Sequence, residues 1–482
     1  MTSSINGMGS SGGPGVDVLL VYPAYETILE KRGRFLTTIP LGIAYLVSAL
    51  ETGGFTVETL DLSVHRELSI VDIASRIANS SPKMLCFSLT SMGLRQAFMI
   101  NSELRRRGFK CVVVAGGPHV TAYPLIILEF GADYGVVGEG EHSLVALCNQ
   151  VIRGRGVAEG IVGVVRKDKG FLGTTTTPCE TIRDLNQLPP PARHLFETKR
   201  YNYASIITSR GCPFECAYCA TAQMTFRQRS LDNIFKEIEG VQKQLNPNSI
   251  TFVDNVFTLN RTFAIDFCLR FKGSVKDMAW TCATRADLLD EELIKTMASS
   301  GCDRISIGVE SGVEEIRFRI GKKVTNKQYE TAFRLCRKAG IKTSAYFMLG
   351  HPGETKKDID ATVEFALKLD PDDAFFTPSI ILPKTKLMEY CLSNNLVDKN
   401  AWNDFMKGVK DVPYLMPEDF KNHTVDTLQL YAMRKYFLDV GYISRKIFKS
   451  RSPSDIIEVG KLTAGVLVDR VLVRQDIIPY EE

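Results

Sequence analysis

The sequence predicts an α/β protein: a doubly wound parallel sheet, then a partial barrel of six strand–helix units, then a helical C-terminal region. Three observations carry this. Apolar runs of strand length alternate with amphipathic helical stretches in two separate series. Runs of the first series end in glycine, proline or small polar residues, the composition of tight strand-to-helix turns. Of the 12 cysteines, three fall within eight residues just after the first strand of the second series, and nine are scattered singly.

Residues 1–15 are rich in glycine and serine and are expected to form a disordered tail. They have no basic start and no apolar stretch, so they do not read as a secretory signal. Residues 16–150 hold the first series, with strands expected at 16–23, 55–62, 84–90, 110–117 and 132–138 and helices over 41–54 and 71–80. The strand ends carry Pro23, Thr90-Ser91-Met92-Gly93, Gly116-Gly117-Pro118 and Gly138-Glu139-Gly140-Glu141. Ligands of such sheets bind outside the carboxyl ends of the strands. Any one of these loops is what a tight turn requires; four in one sheet point to a ligand.

Residues 151–200 read as a connector, with a threonine run at 174–177 and prolines at 189–191. Residues 201–390 hold the second series. Strands are expected at 203–209, 249–254, 279–285, 304–310, 342–349 and 374–381. The helix over 231–245 places Leu231, Ile234, Phe235, Ile238, Val241 and Leu245 on one face, and the helix over 326–340 ends on a glycine. Six such units predict a partial barrel with its active face at the C-terminal rim of the strands. Residues 391–482 read as helices. There, packing is the expectation for Trp402, Tyr414, Tyr431 and Tyr436.

Bulk properties narrow the function. A chain of 482 residues is too long for one ordinary core. Net charge is +4 and there is no basic tract interleaved with aromatics, so no nucleic-acid partner is expected. No run reaches the length of about 18 apolar residues that a membrane span needs, so no transmembrane segment is expected and a cytoplasmic location follows. The scattered cysteines, among them Cys336 with Tyr329, Ala332 and Phe333 at helical spacing, are expected in cores.

The chemistry is concentrated in Ser209-Arg210-Gly211-Cys212-Pro213-Phe214-Glu215-Cys216-Ala217-Tyr218-Cys219-Ala220. Thiolates are the usual ligands of iron–sulfur clusters. A closed structural zinc site takes four protein ligands, and here the nearest upstream histidine, His194, is 18 positions before Cys212. Three ligands leave an open metal position, which suits catalysis better than scaffolding.

This spacing, on the first strand-to-loop of a partial barrel, resembles the radical S-adenosylmethionine (SAM) superfamily. The resemblance implies a [4Fe–4S] cluster on Cys212, Cys216 and Cys219, with SAM on the fourth iron and Tyr218 beside the adenine. It places Asp254, in Phe252-Val253-Asp254-Asn255, at the SAM amino group. The family often has two acidic residues there, and here the second is an asparagine. Arg285 falls where the carboxylate is met, Glu310 and Ser311 at the ribose, and Gly350, in Leu349-Gly350-His351-Pro352-Gly353-Glu354, near the adenine. Pro383-Lys384-Thr385 resembles a common turn after the sixth strand. The plainer readings are a structural ion pair for Arg285 and Glu310, and a helix N-cap for Asp254.

The first domain resembles the Rossmann-like cobalamin-binding domain that precedes the radical SAM core in the class B-type methyltransferase subgroup. Pro40, Leu41 and Gly42 match its first-helix entry. Thr90 and Ser91, then Gly116, Gly117 and His119, then Gly138, Glu139, Gly140 and Glu141 match cobalamin-facing loops. Cobalamin proteins with a histidine on the cobalt carry D-x-H-x-x-G after strand one; this chain has Pro23-Ala24-Tyr25-Glu26 there. Asp61 and His65 follow strand two with the wrong spacing. The resemblance therefore implies methylcobalamin held without a histidine ligand from this protein. It further implies reductive SAM cleavage to a 5′-deoxyadenosyl radical, methylation of an unactivated carbon of a small molecule or natural product, and a reductant such as flavodoxin or ferredoxin. The alternative is a cobalamin-binding radical SAM cyclase or ring-modifying enzyme without methyl transfer. A sensor or carrier would not need the six-strand rim. A methylthiotransferase would carry further clustered cysteines before the core.

Overall fold

The apolar run after residue 16 forms β1 (Val18–Tyr22), whose side chains alternate between two cores: Val18 and Leu20 face one, Leu19 and Val21 the other. A strand buried on both faces belongs in a parallel sheet covered by helices on both sides. The sequence continues α1 (Leu41–Thr52), β2 (Val57–Asp61), α2 (Ile70–Ser80), β3 (Met84–Ser88), α3 (Leu94–Arg106), β4 (Val112–Gly116), α4 (Pro118–Ala122), α5 (Ile126–Phe130), β5 (Tyr134–Val136), α6 (Gly140–Arg153) and β6 (Val164–Arg166). Strand order is β2-β1-β3-β4-β5-β6. α1 and α6 cover one face; α2 to α5 cover the other. β6 corrects the reading of 151–200 as connector alone, because it pairs antiparallel with β5 and closes the sheet edge.

The computed structural model describes residues 15–24, 38–155, 160–166, 181–201, 203–275 and 277–449, together with Ile457, Gly460 and Thr463. The expected tail up to residue 14, Tyr25 and Glu26, the threonine run 174–177 and most of 450–482 lie outside the described residues.

The second series gives β7 (Ala204–Ile206), the short antiparallel pair β8 (Ser209–Arg210) and β9 (Arg227–Gln228), α7 (Leu231–Leu245), β10 (Ser249–Phe252), α8 (Arg261–Ser274), β11 (Ala279–Thr284), α9 (Glu291–Ser299), β12 (Cys302–Glu310), α10 (Glu314–Arg319), α11 (Asn326–Lys338), β13 (Lys342–Leu349), α12 (Lys356–Leu369) and β14 (Asp373–Pro378). The main sheet runs β7-β10-β11-β12-β13-β14, all parallel. Each crossover steps in the same direction, as in a partial barrel. One face packs Ile250, Phe252, Trp280, Ile305, Phe347 and Phe376 against the helices. The other carries small hydroxyl side chains in register: Ser205 beside Thr251 beside Thr281, and Ser306 beside Ser344. Side-chain caps at Ser230, Asn260, Thr325 and Thr355 start α7, α8, α11 and α12. Such caps satisfy orphan helix N–H groups and fix loops at the strand-end rim.

The C-terminal helices α13 (Lys386–Ser393), α14 (Ala401–Met406), α15 (Val425–Phe437) and α16 (Val440–Lys449) divide between the two units. Leu387, Met388, Cys391, Trp402, Phe405 and Met406 join the first domain's core on its α2–α5 face. Leu428, Ala432, Met433 and Tyr436 join the second domain's core. Among the described residues no helix is long and apolar enough to cross a membrane.

Candidate active site

The three motif cysteines sit on one loop whose conformation is fixed at several points. Gly211 holds φ +86°, and a Cβ there would collide with the Thr225 carbonyl; only glycine suits both conditions. The Ala217 N–H donates to the Ile320 carbonyl (2.8 Å), and the Leu387 N–H donates to the Ala217 carbonyl (2.8 Å). The loop is thus clamped by the segment after β12 and by the start of α13. Cys212 and Cys216 are buried and Cys219 is half-buried. Burial pushes the Cys212 and Cys219 thiols up. Among the described residues no three His, Cys, Asp or Glu side chains close on one point as around a single ion. The three thiols nevertheless share one loop, and thiolates are the usual ligands of iron–sulfur clusters.

The residues expected around the sulfonium donor come to the same rim, but several are already engaged. Asp254 is buried, and its carboxylate accepts the Thr208 N–H (3.0 Å), the Thr208 hydroxyl (2.9 Å) and the Ser209 hydroxyl (2.5 Å). Burial raises its pKa against those bonds. It ties the end of β10 to the strand leading into the cysteine loop. Arg285 lies over the Phe214 ring at 3.8 Å, with Nη1 3.9 Å from the Cys216 sulfur. Its other nitrogens donate to Asp287 (3.0 Å) and the Lys322 carbonyl (2.7 Å). Burial pulls its pKa down, and Asp287 outweighs that to hold it above the ordinary value.

Glu310 has φ +69° at a bulge between Gly308 and Glu310. Such a conformation costs a non-glycine residue about 1–3 kcal/mol and clusters at functional sites. Its carboxylate accepts Lys322 Nζ at 2.9 Å, both side chains being buried. Burial lowers the Lys322 pKa, but Glu310 outweighs it and keeps the ammonium charged. Burial first, then the Glu310 charge, push the Tyr218 phenol well up. The Ser311 hydroxyl lies 3.2 Å from Thr362 Oγ1. Gly350, at φ +92°, presses on the Leu415 carbonyl, where a Cβ would not fit. Its N–H donates to Glu354 (2.5 Å), as does that of His351 (3.1 Å).

Three of these residues escaped the sequence reading. Lys322 follows a short helix far along the chain, and no local pattern marks it. His351 and Glu354 lie in the quoted strand-end motif, yet only their burial reveals their state. Burial lowers the His351 pKa to about 4 and raises that of Glu354 to about 7. Both His351 ring nitrogens, Glu354 Oε1 and Ser379 Oγ are buried without a hydrogen-bond partner. The His351 ring lies 6.5 Å from that of Tyr218. Buried polar atoms are normally satisfied, so this group fits a polar ligand at the ends of β13 and β14.

The loops of the first sheet reach the same region. The Ser205 hydroxyl donates to the Ile39 carbonyl (3.4 Å), Pro40 caps α1, and Leu41 and Tyr45 pack with Ile207 and Val253. Gly42 is exposed, and a Cβ there would meet nothing within 4 Å. The Gly93 N–H donates to Thr90 Oγ1 (3.1 Å), and a Cβ on Gly117 would press on Leu89; Gly116 ends β4 beside it. Ser91 Oγ lies 3.0 Å from His119 Nδ1. His119 is buried beside Trp402 (ring centroids 5.2 Å), Nε2 is unpartnered, and burial lowers its pKa to about 3. His119, expected in a corrin-facing loop, packs against Trp402 of α14.

Glu139 and Glu141, expected to face cobalamin, meet arginines. Glu139 pairs with Arg210 (3.2 Å) and Arg227 (2.9 Å), and Glu141 with Arg210 (2.6 Å). Burial pushes the Glu139 pKa up, and the arginines outweigh it and hold it below the usual range. The Gly138 N–H donates to Thr121 Oγ1 (2.9 Å), and Gly140 begins α6. A cavity of about 550 Å³ at the opposite end of the first sheet, lined by Lys83, Leu85 and Cys111, holds none of these groups.

Comparison with known proteins agrees with this division. The Radical SAM superfamily matches residues 206–366, and the B12 binding domain matches residues 34–148. An uncharacterized methyltransferase of Pyrococcus horikoshii is 30% identical over 442 residues, covering 90% of this chain and 95% of that protein. An anaerobic magnesium-protoporphyrin IX monomethyl ester cyclase of Rubrivivax gelatinosus is 25% identical, covering 90% and 80%. Among solved structures, the radical SAM methyltransferase TsrM of Kitasatospora setae, with cobalamin and a [4Fe–4S] cluster bound, superposes with TM-score 0.64 at 22% identity, over 79% of this chain and 75% of that one. The cobalamin-dependent SAM radical enzyme OxsB superposes with TM-score 0.70 at 17% identity, over 95% and 72%. At these identities the two structures bear on the fold.

Proposed function

Because the chain belongs to the radical SAM methyltransferase family and carries a B12-binding domain ahead of its radical SAM core, we propose that it is a cobalamin-dependent C-methyltransferase acting on an unactivated carbon of a small-molecule substrate. The observation that carries this is the meeting of two rims. The loop 138–141 after β5 touches Arg210, two residues before Cys212, and Tyr45 of α1 lies against Arg210 and Arg229. A cofactor at the first rim would therefore look onto the cysteine loop.

The donor set fits the implied groups. Cys212, Cys216 and Cys219 would hold a [4Fe–4S] cluster, and the unpartnered His351, Glu354 and Ser379 atoms, with Tyr218, Glu310 and Ser311, would hold SAM. When bound, the cluster and SAM supply a one-electron route to an alkyl radical, and cobalamin supplies a transferable methyl group. The chain's own residues position and shield. Asp254 fixes Thr208 and Ser209 ahead of the cysteine loop, Arg285 keeps a cation beside Cys216, and Lys322 neutralises Glu310. His351, neutral through burial, can accept a hydrogen bond. Pro40, Gly42, Thr90 and Gly117 remain the residues we assign to cobalamin. With the Asp61 and His65 side chains tied to Tyr201 (2.7 Å) and Glu197 (3.2 Å), we assign the cobalt no histidine from this chain. A flavodoxin- or ferredoxin-type protein is the proposed reductant.

The test is anaerobic incubation of cluster-loaded, cobalamin-supplemented protein with SAM and a strong reductant, followed by mass spectrometry. 5′-Deoxyadenosine together with S-adenosylhomocysteine and methylcobalamin is expected. Deoxyadenosine without methylation of cobalamin would overturn methyl transfer. It would favour a cyclase or ring-modifying reaction, the second reading that the likeness to the Rubrivivax gelatinosus cyclase supports.

A further inference from the structure

We propose that Arg210 is a positioning residue that sets the cluster loop against the cofactor-facing loop of the first domain. The inference rests on the two-cofactor reading above and concerns how the two halves of that site are held in register. Nη1 of Arg210 meets Glu139 at 3.2 Å and Nη2 meets Glu141 at 2.6 Å. The guanidinium also faces the Tyr45 ring at 5.1 Å. Glu139 accepts two further bonds, from Arg227 Nη1 (2.9 Å) and the Ile182 N–H (2.8 Å), and Arg227 in turn donates to the Ile182 carbonyl (2.6 Å). Arg210 and Arg227 are themselves paired partners of β8 and β9. Glu139 is thus bolted to both strands of the ribbon that frames the cysteines, and Glu141 to the first of them.

The link to the cluster has little slack. Gly211 follows Arg210 directly, is pinned against the Thr225 carbonyl, and leads into Cys212. The Arg210, Glu139 and Glu141 side chains are 16%, 17% and 6% exposed. Charged groups so sheltered from water interact strongly, and removing one partner leaves the others uncompensated. A movement of the loop 138–141 must therefore move the cysteine loop or break these pairs.

The test uses full-length protein with Arg210→Ala, Arg210→Lys and Glu141→Gln. Hydrogen exchange is read first, on protein without added SAM. Peptides covering 138–141 and peptides covering 211–219 should both exchange faster in Arg210→Ala, by about tenfold or more, with partial protection kept in Arg210→Lys. Acceleration confined to one of the two loops would overturn the proposal. Glu141→Gln keeps Arg210 and serves if Arg210→Ala does not fold; it should accelerate the same two loops to a smaller extent. The second readout is the product split in protein matched for iron and cobalamin content. S-adenosylhomocysteine, which needs the two rims in register, should fall about tenfold further than 5′-deoxyadenosine, which needs the cluster rim alone. An equal fall in both would assign Arg210 a merely structural role. If the unmodified protein forms neither product, the two-cofactor reading fails, while the exchange result still decides the clamp.

Discussion

Gly211 governs where all three thiols stand. Its φ of +86° lies in the region that favours glycine, and the Thr225 carbonyl occupies the space a Cβ would need. Gly211→Ala should therefore cost about 1–2 kcal/mol from the backbone alone, with more from the collision. The expected result is a lower iron and sulfide content after reconstitution and a fall in melting temperature; wild-type values of both would show that the loop is not pinned there. Glu354 makes a prediction about pH. Burial holds its pKa at about 7 in the folded protein, against about 4.3 in an unfolded chain. The folded state binds this proton more tightly, so the contribution to stability is complete below about pH 4.3 and is lost as pH rises through 7. Glu354→Gln should flatten that part of the pH dependence, and thermal melts of both proteins from pH 5 to 8 check it; parallel curves would overturn it. At this scale the cysteine motif was legible as one loop, because its three thiols lie within eight residues. Asp254, Arg285, Glu139 and Glu141 were legible as residues of the strand-end rims but not in their partners. The partner of a charge is chosen by tertiary contact, and nothing local to Glu141 points 69 residues onward to Arg210.

Elements were easier to read than their allegiances. The alternation of apolar runs with helical stretches located β1 to β5 and the six strands of the second sheet; in the first sheet, burial on both faces leaves the run continuous. β6 is three residues long, with Val165 alone of the three buried, and too short a segment to leave a periodic signal. The C-terminal region was legible as helical, but not the start of α13 at Lys386, nor the fact that α13 and α14 pack on the first domain while α15 packs on the second. That division follows from which apolar faces the two sheets leave uncovered. Trp402 is the anchor of the first group: it is buried, donates Nε1–H to the Ile381 carbonyl (3.0 Å), and stands edge-on to His119 and Phe405. Trp402→Ala should destabilise by about 3–5 kcal/mol and loosen α13 and α14 before anything in α15. Hydrogen exchange read helix by helix checks this. Equal loosening of α15 would mean the C-terminal region behaves as one body after all.

The whole molecule is joined by charge as well as by apolar packing. Glu237, on α7, takes Arg193 of the connector at 2.6 Å and Arg229 at 2.6 Å, the second without hydrogen-bond alignment. Arg193 also donates to the Ser205 carbonyl (2.7 Å) and Arg229 to the Ile207 carbonyl (2.7 Å), and Arg229 Nη1 lies 3.3 Å from the Tyr45 hydroxyl of the first domain. The connector is held at the other side too, by the Ala192 N–H on the Ala44 carbonyl (3.0 Å) and the Ser48 hydroxyl on the Pro190 carbonyl (2.5 Å). The segment read from its prolines as a spacer is therefore a splint, tied to α1 on one side and to β7 and α7 on the other. All three side chains of the triad are nearly inaccessible to water. Removing the central charge leaves two buried arginines without a counter-ion, which typically costs about 3–5 kcal/mol. Because the triad ties the connector to the second unit and reaches the first through Tyr45, the cost should fall on the coupling between units as well as on total stability. The wild-type protein should unfold in one transition, coincident by far-ultraviolet circular dichroism and tryptophan fluorescence, since one probe follows both sheets and the other follows Trp280 and Trp402 in separate cores. Glu237→Gln should separate the two curves. Coincident curves at a lower midpoint would instead place the whole penalty inside the second unit and remove the triad from the account of how the halves are joined.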